Sequence, residues 1–168
     1  MRTPLRTWRR QAIGRIAAGR RATLAFIDQV PDGEIRRPRT QDRWSVKDVL
    51  AHLLACDEET NRRLRLIARG QAERIQWFES LAYADRFNAR TVARLRPLGL
   101  PALRRRMQRA HVELIDLLQR LPLGALEDPS HAYPVTEWLP APGWSHEREH
   151  IAEAKAWWRR RRKELGRR

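Results

Sequence analysis

Apolar residues recur along this chain at intervals of three and four, and proline and glycine interrupt the pattern at a few places. This spacing is typical of helices that bury one face, because such positions lie on one side of a helix. No alternation long enough to indicate a β-strand is present. The pattern predicts helices over about residues 4–29, 45–70, 75–95, 101–121 and 144–165.

The predicted helices are separated by typical breakers. Residues 31–33 (Pro-Asp-Gly) end the first helix, and a polar link follows. Ser45 can cap the second helix, with Asp48 three residues later as a capping-box partner. Residues 127–143 contain four prolines, so we expect no helix there. A long connection of this kind is a candidate cover for a functional site.

A length of 168 residues, 42% of them hydrophobic, predicts one all-α domain over residues 1–168. No apolar stretch approaches the roughly 18 residues of a membrane span, and the basic N-terminal segment lacks the uncharged core of a signal peptide. Cys56 is the only cysteine, which excludes an internal disulfide and fits a reducing cytoplasm. We therefore expect a cytoplasmic protein with no membrane partner.

The formal net charge is +15, which raises the question of nucleic-acid binding. Arginines are spread over every predicted helix, and only three of the 35 basic residues are lysines. The one dense run is at residues 159–163, within a basic C-terminal tail of about residues 159–168 that we expect to be solvated. No specific nucleic-acid partner is therefore predicted, and any binding should be weak and sensitive to salt.

Three histidines are candidate metal ligands. His146 and His150 are four residues apart and project from one face of the last helix. His52 lies in an apolar stretch of the second helix and could face them, completing three nitrogen ligands with a position open for water or substrate. The alternative is that they are ordinary core histidines with carboxylate partners.

Other candidates have simpler interpretations. Cys56 could be a fourth ligand or a nucleophile, but a small buried apolar residue is the favoured interpretation. Glu149 and Glu153 could accept from histidine rings, although ion pairs with nearby arginines are favoured. His111 has no second ligand at helical spacing, and His131 lies in the proline-rich segment after Asp128, so we expect neither to bind metal.

The histidines occur within longer motifs. Residues 44–53 (WSVKDVLAHL), residues 87–90 (FNAR) and the pattern WxHxxxH over residues 144–150 occur in an order that resembles the DinB-like four-helix-bundle superfamily, over about residues 10–160. The chain is most similar to the subgroup named after the colibactin self-resistance protein (ClbS/DfsB). The resemblance implies a four-helix bundle with an extra helical segment between the second and third long helices, and it draws attention to Asn88, otherwise an ordinary surface amide.

The same resemblance implies a divalent metal, zinc or nickel, held by His52, His146 and His150. Several members resemble thiol-dependent S-transferases or hydrolases of reactive small molecules. The hypothesis is thus a metal-binding protein that acts on a small-molecule electrophile with a low-molecular-weight thiol as co-substrate. A non-catalytic sequestering or resistance protein and a basic nucleic-acid interaction module are the alternatives. No catalytic residue is assigned, and a homodimer is left open.

Overall fold

The computed structural model describes residues 3–39 and 44–167. Helices account for most of this part of the chain. The α-helices are α1 (Leu5–Ile27), α2 (Asp32–Arg36), α3 (Val46–Ala68), α4 (Leu81–Leu95), α5 (Leu100–Arg120), α6 (Val135–Trp138) and α7 (His146–Leu165). Short 3₁₀ turns span Ala72–Arg74 and Leu123–Leu126, and a π turn spans Ala141–Ser145.

The four long helices α1, α3, α5 and α7 form a bundle. Helix α1 packs against α5 and α7, and α3 packs against the same two helices. Helix α4 lies against α3, so the extra helical segment between the second and third long helices is where the sequence predicted it. The described residues contain no β-strand, which confirms the all-α prediction. None of the described helices has the length and apolar character needed to cross a membrane.

Two groups of buried apolar residues form the core. The first joins the start of α3 to α5 and to the second half of α7, and it includes Val49, Leu53, Leu103, Met107, Ala154 and Trp157. The second joins α1 to the ends of α3 and α5 and to α6, and it includes Ile16, Leu64, Leu114, Leu118 and Val135. On the long helices, these residues lie on the apolar faces that the helical periodicity predicts, because positions three and four apart share one side of a helix.

Helix α3 begins with the predicted capping box. The Ser45 hydroxyl accepts from the Asp48 backbone N–H at 3.1 Å, and an Asp48 carboxylate oxygen accepts from the Ser45 N–H at 3.0 Å. Arg96 also donates to Asp48, at 3.0 Å. The cap satisfies N–H groups that have no partner within the helix. It therefore defines the first turn of the helix that holds His52.

Three boundaries differ from the sequence prediction. The link after α1 contains the short helix α2, which buries Ile35. Helix α4 begins at Leu81 and not near residue 75, because the Ser80 side chain accepts from the Tyr83 N–H and caps the helix there. Residues 127–143 include α6, although the sequence favoured an irregular segment. Proline is compatible with a helix start, and α6 follows directly on Pro134.

The basic run of residues 159–163 is helical, and all of its side chains are exposed except the half-buried Arg161. Helix α7 ends at Leu165, which agrees with the end predicted from the sequence. Within it, Arg161 donates to both carboxylate oxygens of Glu34, at 2.9 and 3.2 Å. Part of the basic run therefore joins α7 to α2.

We predict that Ser45→Ala lowers the free energy of unfolding by about 1 kcal/mol, because it removes the cap of α3. Urea denaturation measures the change. Ser130→Ala is the control, since the exposed Ser130 hydroxyl bonds only Asp128 in a connecting segment. A loss no larger in Ser45→Ala than in the control would contradict a structural role for the cap.

Candidate metal centre

The three predicted histidines meet at one point in the bundle. His52 lies on the second turn of α3, and His146 and His150 lie on the first two turns of α7. The Nε2 atom of His146 is 2.7 Å from Nε2 of His52 and 3.2 Å from Nε2 of His150. One candidate ligand atom from each ring lies within 4.8 Å of the others. The sequence prediction of a three-nitrogen set thus corresponds to a real cluster, which could hold a metal ion.

The surroundings hold the rings at steep angles to one another. The ring planes of His52 and His146 are inclined by 77°, and those of His146 and His150 by 80°. The Trp44 ring packs against His52, with 5.2 Å between centroids. His52 is 2% exposed. The ring edges that bear the nitrogens therefore converge on a small space that is mostly closed to solvent.

The donor set fits a divalent cation. Ligands about 2.0 to 2.1 Å from a tetrahedral zinc ion lie about 3.3 Å apart. The 3.2 Å between His146 and His150 is near this value, whereas the 2.7 Å between His52 and His146 is shorter and would have to lengthen when an ion binds. Hydrogen bonds alone satisfy the cluster less well, because each neutral imidazole offers only one N–H. Among the described residues, no carboxylate bonds to any of the three rings, and Nδ1 of His150 is buried without a partner. The carboxylate-partner alternative therefore loses its support.

The histidines are neutral at ordinary pH. Burial lowers the pKa of His52 to about 3, with further lowering by the two neighbouring histidines. Burial also lowers the pKa of His146 and of His150. A neutral imidazole is the form that binds a metal ion, because its free nitrogen keeps its electron pair. The cluster thus presents nitrogen donors without first having to release protons.

Cys56 is next to the cluster but has little thiolate character. Its Sγ lies 3.8 Å from Nε2 of His52. Although Cys56 is not among the fully buried residues, desolvation raises the pKa of its thiol to about 12. A protonated thiol is a poor nucleophile and a poor ligand. The apolar interpretation of this cysteine is therefore the one that the local chemistry favours.

The remaining sequence candidates lie outside the cluster. The exposed Glu153 carboxylate lies 3.9 Å from the half-buried Arg39 guanidinium, an ion pair with an arginine as expected, and Glu149 is also exposed. His131 lies 3.8 Å from the Asp128 carboxylate. His111 is buried on α5, away from the three ligands. Neither His111 nor His131 joins the candidate metal site, as the sequence analysis expected.

A cavity of about 480 Å³ opens beside the histidines. His52, His146 and Cys56 line it at the metal-site end. The other walls are mostly apolar, and they include Asn88, which only the family resemblance had singled out. Four residues of the proline-rich connection also line the cavity, so this segment covers the site as proposed: Tyr133, Trp138, Ala141 and Pro142.

A buried ionic network lies behind the site, and the sequence analysis missed it. Arg20 on α1 donates to Asp57 on α3 at 2.7 Å and to Glu147 on α7 at 3.0 Å. The Thr23 hydroxyl donates to the same Glu147 carboxylate at 2.6 Å. All four residues are at most 4% exposed. The available signal was one charged residue among the apolar positions of each of three helices, positive on α1 and negative on α3 and α7.

This network joins the elements that hold the metal ligands. Glu147 directly follows His146, and Asp57 directly follows Cys56. Because buried charges are stable only when paired, α1, α3 and α7 can pack only where these groups meet. The network thereby limits the position of the first turn of α7 relative to α3.

We predict that Arg20→Met lowers the free energy of unfolding by about 3 to 5 kcal/mol, since it leaves two buried carboxylates unpaired. Denaturant unfolding measures the loss. Arg120→Met is the matched control: Arg120 pairs with Asp116 on the surface, and its removal should cost at most about 1 kcal/mol. Equal losses in the two variants would show that the buried pairing has no special weight.

No curated protein and no solved structure matches the chain. The family profile described as the DinB superfamily matches residues 15–154, a range that contains all three histidines, the whole of α3 and α5, and about half each of α1 and α7. The chain therefore belongs to the DinB superfamily.

Proposed function

We propose that this protein is a metal-dependent enzyme that joins a low-molecular-weight thiol to a reactive small molecule, or hydrolyses that molecule. The observation that carries the proposal is the convergence of three neutral imidazoles at one end of a largely apolar cavity. Three protein ligands leave a coordination position open, which is typical of catalytic metal sites. Zinc or nickel suits the nitrogen donors.

In this proposal, one set of side chains would hold the metal ion and another would enclose the substrate. His52, His146 and His150 would hold the ion. A divalent ion bound there would supply Lewis-acid chemistry by lowering the pKa of a thiol or a water molecule. The aromatic and apolar walls would bind the organic part of the substrate and exclude bulk water.

The attacking group in this proposal comes from outside the protein. Cys56 is the only thiol of the chain, and the pKa of about 12 keeps it protonated near neutral pH. An enzyme that used Cys56 as its nucleophile would need a neighbouring base or cation to lower that pKa, and the adjacent histidines are themselves difficult to protonate. A diffusible thiol or a water molecule is therefore the co-substrate.

A second candidate is a protein that sequesters a toxic metabolite without transforming it. The shape and lining of the cavity favour this candidate, because about 480 Å³ of mostly apolar space suits a small organic ligand whether or not a metal is bound. The two candidates differ in whether removal of the metal abolishes protection.

We predict about one zinc or nickel ion per chain in protein purified without a histidine tag, measured by elemental mass spectrometry. His52→Ala, His146→Ala and His150→Ala should each reduce the metal content severely, since each removes one of three ligands. His131→Ala is the control and should keep the wild-type content, because His131 lies outside the cluster. If wild-type protein stays metal-free in the presence of micromolar zinc, the proposed metal site is refuted.

A further prediction concerns turnover. The rate at which the thiol of free cysteine displaces bromide from monobromobimane to form a fluorescent thioether should fall by about 10²-fold or more in His146→Ala, since metal activation is worth several kcal/mol. Cys56→Ala should retain most of the activity, because the Cys56 thiol is protonated. Circular dichroism checks that both variants stay helical. If chelation and His146→Ala both leave turnover intact, the metal mechanism is wrong and sequestration becomes the better account.

A further inference from the structure

Arg63 lies at the opposite end of the cavity from the metal site. It follows His52 by eleven residues on α3, which is about three helical turns. The two positions therefore lie within about 20° of each other around the helix and about 16 Å apart along it. Arg63 lines the same cavity as His52 and His146. One stripe of α3 thus presents a nitrogen donor at one end and a guanidinium at the other.

The Arg63 guanidinium is surrounded by aromatic rings. Its central carbon lies 4.8 Å from the ring centroid of Trp77, 5.0 Å from that of Phe78 and 5.8 Å from that of Trp138. The side chain is 10% exposed. Its Nη2 atom is buried and has no hydrogen-bond partner among the described residues. Ring faces attract a cation, but they do not replace the acceptor that a buried N–H requires.

The charge of Arg63 is only partly neutralised. Glu59 accepts from Arg63 Nε at 2.8 Å, but it also accepts from Arg62 Nε and Nη2, at 2.8 and 2.9 Å. One carboxylate shared between two guanidinium groups leaves a surplus of positive charge. A buried cation in this condition is stabilised by any anion that reaches it.

The rest of the cavity does not supply that anion. Of the described residues that line it, Arg63 is the only one with a permanent charge, and no acidic residue is among them. The cavity is therefore an apolar, aromatic slot with one cationic end and no competing carboxylate. Such a lining selects flat ligands with a single negative group.

We propose that Arg63 binds the anionic group of the ligand and that the ligand is an aromatic molecule with a carboxylate or similar anion. The orientation that this implies rests on the proposed function: with the anion at Arg63, the reacting carbon lies at the far end of the molecule, next to the three histidines. The anion site itself does not depend on the metal.

Arg63 also has an evident structural effect, because it holds the segment with Trp77 and Phe78 against Trp138. Loss of that effect would weaken the binding of all ligands alike. Loss of anion recognition would instead change the ratio between the dissociation constants of an anionic ligand and its neutral analogue. The ratio is therefore the quantity to measure.

The test uses 2-naphthoate and its neutral analogue 2-naphthamide, titrated into metal-free protein and followed by calorimetry. Without metal, the carboxylate has no other strong partner in the cavity. Wild-type protein should bind naphthoate about ten-fold more tightly or better, as a charge-assisted hydrogen bond implies. Arg63→Met should bring the two dissociation constants within about two-fold, and Arg63→Lys should keep part of the preference.

Arg65→Met is the matched control. It removes the same charge from the same helix, but Arg65 pairs with Glu113 and does not line the cavity. It should keep the wild-type preference, whereas an equal loss in Arg65→Met would mean that net charge alone is responsible and would overturn the proposal.

Equal affinities in wild-type protein, no naphthoate binding at millimolar concentration, or an unchanged preference in Arg63→Met would also overturn the proposal. If Arg63→Met fails to fold, the ratio of the two dissociation constants in Arg63→Lys and in wild-type protein still tests the proposal. Metal content is measured separately, so the anion site and the metal site can fail independently.

Discussion

The pairing of Arg20 with Asp57 and Glu147 is the constraint on which the rest of the structure depends. Three charged groups from α1, α3 and α7 lie in the interior, each at most 4% exposed, and none can be buried there alone at an acceptable cost in free energy. Apolar side chains tolerate small shifts between helices, but a buried ion pair does not, because its energy depends on contact between particular atoms. The network therefore selects one arrangement of these helices. That arrangement brings the start of α7 to the second turn of α3, where the histidines meet.

From that arrangement follows a cavity with two chemically different ends. Neutral imidazoles, whose pKa values burial has lowered, lie at one end, and the partly neutralised guanidinium of Arg63 lies at the other. Between them the walls are aromatic and apolar, and the protonated Cys56 thiol adds no charge. A ligand that fits this slot would be oriented before any reaction, which is how a binding site reduces the entropic cost of chemistry.

The large positive charge of the chain has a partly structural explanation. Arg20 pairs inside the bundle, Arg63 lies within an aromatic enclosure, and Arg161 joins α7 to α2 through Glu34. Arginine suits these positions because its planar fork can make two hydrogen bonds and stack on rings at the same time. A count of basic residues therefore does not translate directly into a binding surface for polyanions.

Features that depend on near neighbours in the chain could be predicted from the amino-acid sequence. The helical stripes, the Ser45 capping box and the common face of His146 and His150 could all be predicted, because they follow from spacings of three and four residues. The apolar position of His52 made its meeting with His146, 94 positions away, one of two alternatives, and the family resemblance implied it, but spacing alone could not establish it. The Arg20 network and the aromatic enclosure of Arg63 were not predicted at all. These contacts form only in the folded protein, because charges and rings on separate helices meet their partners only when packing fixes the helices relative to one another.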